Sequence, residues 1–175
     1  MKATGIIRRI DELGRIVIPK EIRKNLKITE GENIEIYIDE EDKIVLKKYS
    51  NLKNIKDFSQ KLVDSIYSIT KDNIIITDNN NVIASAGSLK KEIINKELTE
   101  EYINLINKRK NIINEDSVKI TERIEIGKNY LINIILSNGD INGTIVLIKE
   151  NSEITECEKN IINITTNFLS KYLEE

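Results

Sequence analysis

Two different patterns of apolar and polar positions divide the chain near residue 50. Before that point apolar residues come in short runs broken by turn formers. Residues 5–10 (GIIRRI) predict a strand, residues 11–14 (DELG) a turn, and residues 15–18 (RIVI) a second strand. Pro19 cannot continue a ladder but suits the first turn of a helix, so residues 19–26 (PKEIRKNL) predict a short helix. Glu30-Gly31 marks a turn. Residues 33–39 then alternate, with Ile34, Ile36 and Ile38 on one face, and the acidic residues 39–42 turn the chain into a last strand over 43–48. The order is β-β-α-β-β.

After residue 50 the apolar spacing lengthens. Residues 52–70 place Ile55, Phe58, Leu62, Ile66 and Ile69 three and four apart, which predicts an amphipathic helix. Residues 73–78 and 82–86 read as strands around an Asn79–Asn81 turn. Residues 88–110 read as helical, broken near Glu97-Leu98-Thr99. Strands follow over 118–126, 129–137 and 143–149, with Asn138-Gly139 as a hairpin turn. Thr155 opens a last helix, with Glu158 three residues on completing a capping box. Cys157, Ile161, Ile164, Phe168 and Tyr172 line one of its faces. Both long helices carry an apolar shoulder as well, Val63 and Tyr67 on the first, Ile162 and Leu169 on the last. That surplus suggests partner helices from another subunit, packing residues 52–70 and 155–173 into a tetramer-forming bundle. The prediction is thus a small module over 1–50 and a larger α/β domain over 51–175, with a mixed sheet and flanking helices.

A fifty-residue module buries too little apolar surface to be stable alone, and it has no disulfide or metal to help. A second copy sharing its strands is the remedy the size argues for. Across the whole chain, 39% hydrophobic and 32% charged residues describe a folded globular protein. No apolar run approaches a membrane span and no signal-like segment opens the sequence, so a cytoplasmic protein is expected. One cysteine and no histidine exclude an internal disulfide, zinc sites and histidine-based triads. Neither catalytic residues, a metal site nor a cofactor are expected, and an enzyme is not.

Charge changes this picture. Four of the six arginines, Arg8, Arg9, Arg15 and Arg23, lie in the first 23 residues, whereas lysine supplies positive charge 21 times in the whole chain. A guanidinium offers a planar fork of donors that an ammonium lacks. Residues 1–27 carry eight basic side chains against three acidic, a net of +5 hidden inside an overall charge of −2. Such a patch points to nucleic acid, with Arg8, Arg9, Arg15, Arg23 and Lys24 as candidate DNA contacts. Arg8 and Arg9 are neighbours on one predicted strand, so they point to opposite faces.

The stretch MKATGIIRRIDELGRIVIPKEIRK, continued by IEIYID and Lys47–Ser50, resembles the DNA-binding module of the AbrB family of bacterial transition-state regulators. The resemblance covers residues 1–50. It implies a swapped-hairpin β-barrel formed by a dimer, with Arg8, Arg15, Arg23 and Lys24 facing double-stranded DNA. Lys24 stands where arginine is common in the family, which favours phosphate contact over a bidentate base contact. The element order of residues 51–175 resembles GAF domains, many of which bind a small molecule between sheet and helices; this implies oligomerisation with either sensing of an unidentified small-molecule effector or no ligand at all, and the sequence names no ligand residues. A chain of this arrangement resembles late-sporulation transcription regulators of endospore formers, nucleoid-associated and expected in the forespore.

Two other classes use similar parts. An antitoxin would pair the same barrel with a short disordered tail that blocks a toxin, but residues 51–175 are periodic and apolar enough to fold. Sulfoxide-reductase chemistry on a GAF scaffold needs several cysteines. Cys157 itself shares a stripe with Ile161 and Phe168, and packing is the expectation for it. Gly5 and Gly14 fit turn geometry better than a phosphate cradle.

Overall fold

A computed structural model describes residues 5–26, 28, 30–31, 33–39, 43–48, 52, 55–114 and 116–174. Residues 1–4 and 40–42, which belong to the predicted module, lie outside them. The chain divides into two compact units, Met1–Tyr49 and Ser50–Glu175.

In the first unit, α1 (Lys20–Asn25) starts after Pro19, and β1 (Ile34–Ile38) pairs antiparallel with β2 (Ile44–Lys48), Ile34 opposite Lys48. The Lys47 ammonium sits 4.5 Å above the centre of the Tyr37 ring, fastening the hairpin from its polar side. The two strands expected over 5–10 and 15–18 are not formed in the single chain; those residues belong to no ladder. The turn between them is present, held by Gly14 N–H to Asp11 C=O at 3.0 Å and Asp11 N–H to Arg15 C=O at 3.0 Å. The physical reason is the absence of a second layer. Among the described residues of this unit only Pro19 is buried, while Ile7 is 88% exposed and Ile38 78%. Ile18, Ile22, Leu26, Ile28, Ile34 and Leu46 line an open apolar cleft of about 170 Å3. Isolated strand pairs without an apolar cover are marginal in water.

The second unit is three-layered. Its central sheet has the order β4-β3-β9-β8-β5, built from β3 (Asn73–Thr77), β4 (Val82–Ala86), β5 (Ile112–Ile113), β8 (Tyr130–Ser137) and β9 (Asp140–Ile148). The expected mixed sheet is antiparallel in each ladder described, because hairpins join β3 to β4 and β8 to β9, and β9 returns beside β3 in the opposite sense. Asn138 and Gly139 both have positive φ, 50° and 83°, as the two-residue turn between β8 and β9 requires. Gly143 lies so close to the Thr77 carbonyl that any Cβ would collide with it. The predicted strand over 118–126 is a separate hairpin, β6 (Val118–Thr121) and β7 (Ile124–Ile126).

One face of the sheet is covered by α2 (Lys56–Thr70) and α5 (Glu156–Tyr172). The other is covered by α3 (Lys90–Ile93), α4 (Glu100–Ile106) and the β6–β7 hairpin. Strand parity sorts the side chains accordingly: Ile74, Ile76, Leu131 and Leu147 point to the first layer, Ile75, Ile132 and Val146 to the second. With both faces covered the central strands are buried at nearly every position, which is why they read as continuous apolar runs. Helix α4 is anchored to its face of the sheet by a chain of hydroxyls, Tyr102 to Thr144 at 2.8 Å and Thr144 to Thr77 at 2.8 Å. Burial pushes the Tyr102 hydroxyl well above its ordinary range, so it stays neutral.

The capping box forms as expected, Thr155 accepting from Glu158 N–H while the Glu158 carboxylate accepts from Thr155 N–H at 2.7 Å. The same carboxylate takes a 2.5 Å bond from Lys149, whose ammonium is also 3.9 Å from Asp72. The sheet takes the shoulder of each long helix: Val63 and Ile66 of α2, and Ile162 and Leu169 of α5, are buried against it. The predicted α2 stripe divides, with Ile66 buried, Ile55, Phe58 and Leu62 half-buried against the same core, and Ile69 73% exposed. The α5 stripe lies mostly outside, with Ile164 69% exposed. Cys157 is exposed rather than packed, correcting the expectation from its stripe.

Candidate nucleic-acid interface

The five candidate cations occupy three local settings in the first unit. Arg8 and Arg9 lie on the extended segment before the turn, Arg15 directly after it, and Arg23 and Lys24 in the last turn of α1, where cations complement the helix dipole. All five are exposed. The opposite-face argument for Arg8 and Arg9 depends on a strand, and in the single chain that segment has no ladder to fix its parity. Arg8 donates to the neighbouring Ile7 carbonyl at 3.2 Å. Among the described residues no ion pair engages Arg9, Arg23 or Lys24, so their charge faces solvent. Pro19 seats the helix: Arg23 N–H bonds to the Pro19 carbonyl at 2.9 Å, and Ile28 N–H returns to the Arg23 carbonyl at 2.8 Å.

Arg15 differs from the others. Its Nε donates to Asp11 Oδ2 at 2.7 Å. The other carboxylate oxygen, Oδ1, accepts from the backbone N–H of Leu13 at 3.0 Å and of Arg15 at 2.8 Å. The Arg15 backbone and side-chain bonds together hold the Asp11 carboxyl below its ordinary range. Asp11 is the residue the sequence reading missed, treating DELG as a turn only. The available signal was an acid four residues before an arginine across that turn. The arrangement presents cations on one small, exposed and incompletely cored unit.

In the second unit, the layer between the sheet and α3–α4 is filled by Tyr102, Tyr130, Leu98, Ile106 and Ile132, all fully or almost fully buried. A polar cavity of about 290 Å3 opens elsewhere, between the end of α2 and the residues after β9, lined in part by Tyr67, Lys71, Asp72, Ser88 and Glu150. Among the described residues no group of histidine, cysteine or carboxylate side chains could hold a metal ion, and no helix is long and apolar enough to cross a membrane.

Known proteins match both units. A family model described as stage V sporulation protein T C-terminal, transcription factor, matches residues 54–174. A model for MazE, a bacterial antitoxin of the antidote-toxin recognition type, matches residues 7–54. The chain is 36% identical to stage V sporulation protein T of Bacillus subtilis (strain 168) over 178 aligned residues, covering 100% of each protein. It is 61% identical over 49 residues to the transition state regulatory protein AbrB of the same organism, a match covering 28% of this chain and 50% of AbrB. The second unit shares its fold with the cofactor-binding GAF domain of the nutrient sensor CodY from Clostridium difficile, at 15% identity and a TM-score of 0.50 over 65% of this chain and 83% of that one. With the C-terminal model spanning most of the second unit and a relative aligned from end to end, the chain belongs to the stage V sporulation protein T family of transcription factors.

Proposed function

We propose that the protein regulates transcription of late sporulation genes in an endospore former by binding double-stranded DNA through its first unit. The observation that carries this reading is an exposed cationic cluster, Arg8, Arg15, Arg23 and Lys24, on a module 61% identical to AbrB. Most of the binding energy is phosphate neutralisation, with arginine forks able to reach a groove. Among the described residues of the first unit no long helix is available to read the major groove, since α1 has six residues. Recognition therefore leans on DNA shape and deformability as well as on base edges.

The working form is an assembly. The open apolar cleft and uncovered strands of the first unit support an interleaved barrel completed by a second copy, doubling the cationic patch. The outer apolar faces of α2 and α5 support a helical bundle that joins two such dimers into a tetramer. The protein works in the cytoplasm of the forespore, bound to the nucleoid. An antitoxin role is not favoured, because residues 55–174 form a packed domain rather than a toxin-blocking tail.

Gel-shift titration of the full chain with a 30-base-pair duplex tests the reading. Arg15→Ala and Arg23→Ala should each weaken binding by roughly tenfold while leaving the melting temperature unchanged. Wild-type protein that binds no duplex at low salt would refute it.

A further inference from the structure

We propose that Asp11 is a positioning residue for DNA recognition, holding the Arg15 fork in one orientation and giving up generic affinity for sequence selectivity. This rests on the reading that the first unit binds DNA. The Asp11 carboxylate divides its work between two oxygens. Oδ1 closes the turn through the Leu13 and Arg15 backbone N–H groups, at 3.0 and 2.8 Å. Oδ2 is left for the guanidinium and takes Nε at 2.7 Å. An arginine has two edges that can donate in pairs, one containing Nε and one formed by the two terminal nitrogens. With Nε engaged, the terminal edge remains free, and that edge matches the O6 and N7 acceptors of guanine.

The pair is exposed, the Arg15 side chain 70% and the Asp11 side chain 42% accessible. Exposed pairs of this kind add little to stability. Their effect is on freedom: a long side chain that already has its orientation loses less entropy on docking, and it docks in one geometry rather than many. The same carboxylate places a negative charge beside the patch, which repels phosphates of any sequence. Selectivity and generic affinity are thereby set against each other at one residue. The carboxyl is held below its ordinary range, so the arrangement stays intact at neutral pH.

Asp11→Asn separates the two roles of the carboxylate. The amide oxygen can still accept from the turn N–H groups, while its NH2 would face the Nε–H donor and release the guanidinium. The probe is a pool of 30-base-pair duplexes with a randomised centre, taken through rounds of selection by the full-length protein. Asp11→Asn should bind the unselected pool about threefold to tenfold more tightly and enrich preferred sequences roughly tenfold less than wild type. In an Arg15→Lys background the Asp11→Asn change should have no further effect on enrichment, since the fork it holds is gone. Equal enrichment by wild type and Asp11→Asn overturns the proposal. So does an Asp11→Asn effect that persists undiminished beside Lys at position 15, which would make Asp11 a turn former only. If Asp11→Asn loses its fold by circular dichroism, the Arg15 Nε–H resonance of the wild-type protein decides instead: slow exchange supports the held fork, and rapid exchange with solvent overturns it. Wild-type protein that binds the pool without enriching any sequence also overturns it, whereas failure to bind the pool at all refutes the DNA reading itself.

Discussion

Single residues were easiest to anticipate where their chemistry is local. Thr155 and Glu158 form the capping box their spacing implies, because a cap needs only its own turn. The further bond from Lys149 to Glu158 joins β9's end to α5 across the fold and left no trace in the sequence. Within that cluster the two carboxyls diverge. Burial opposes charge on Glu158, but the Lys149 hydrogen bond and those from Thr155 outweigh it and hold its carboxyl below the ordinary range. Desolvation raises Asp72, which stands farther from the shared ammonium, 3.9 Å against 2.5 Å. Glu158 therefore contributes stability that is present above the unfolded carboxylate range and lost as pH falls through its lowered value. Asp72 acts oppositely: its ionised form costs stability, and protonation on acidification relieves that cost. Asp72→Asn should leave stability at pH 7 unchanged or higher, with any gain gone below about pH 4. Lys149→Met leaves both carboxylates without their cation and should cost about 3 kcal/mol at pH 7. Urea titrations of the full chain across pH check both.

Elements were legible in kind but not in facing. Periodicity located α2 and α5, yet each helix carries two apolar stripes, and a period cannot say which one meets the sheet. The buried face of α5 includes Thr165 and Thr166, whose hydroxyls are satisfied by the Ile161 and Ile162 carbonyls at 2.8 and 2.7 Å. Polar residues that bond to their own helix can thus occupy a core position and disguise it. The face left outside brings Phe58, Phe168 and Tyr172 together, with the Phe58 and Tyr172 rings stacked at 5.3 Å. Ile164→Glu with Phe168→Glu alters only that outer face. If the proposed tetramer bundle forms there, this variant keeps its fold and drops to a dimer by light scattering, because carboxylates are costly to desolvate at a helix interface. A folded variant that remains a tetramer would place the contact elsewhere. The short β5 was missed, since two residues carry no readable period.

At the scale of the molecule, the division into a small cationic module and a larger α/β domain followed from the change in apolar spacing and the clustering of arginine. The module's missing core followed from its size alone: Ile7, Val17 and Ile38 are exposed, and Ile18, Ile22 and Leu46 line an open cleft. Residues 1–50 expressed alone should be dimeric or unfolded, with a melting temperature that rises with concentration; a folded monomer in sedimentation would contradict this. How the strands expected over 5–10 and 15–18 pair was not readable, and the single chain gives them no ladder; in the proposed dimer a second copy supplies their partners. If two cationic patches meet one duplex, as proposed, affinity should depend steeply on salt. If six phosphates are neutralised, log affinity should fall against log salt with a slope of about −5 or steeper. A slope near zero would mean that the patches neutralise no phosphates and that the first unit does not bind DNA in this way.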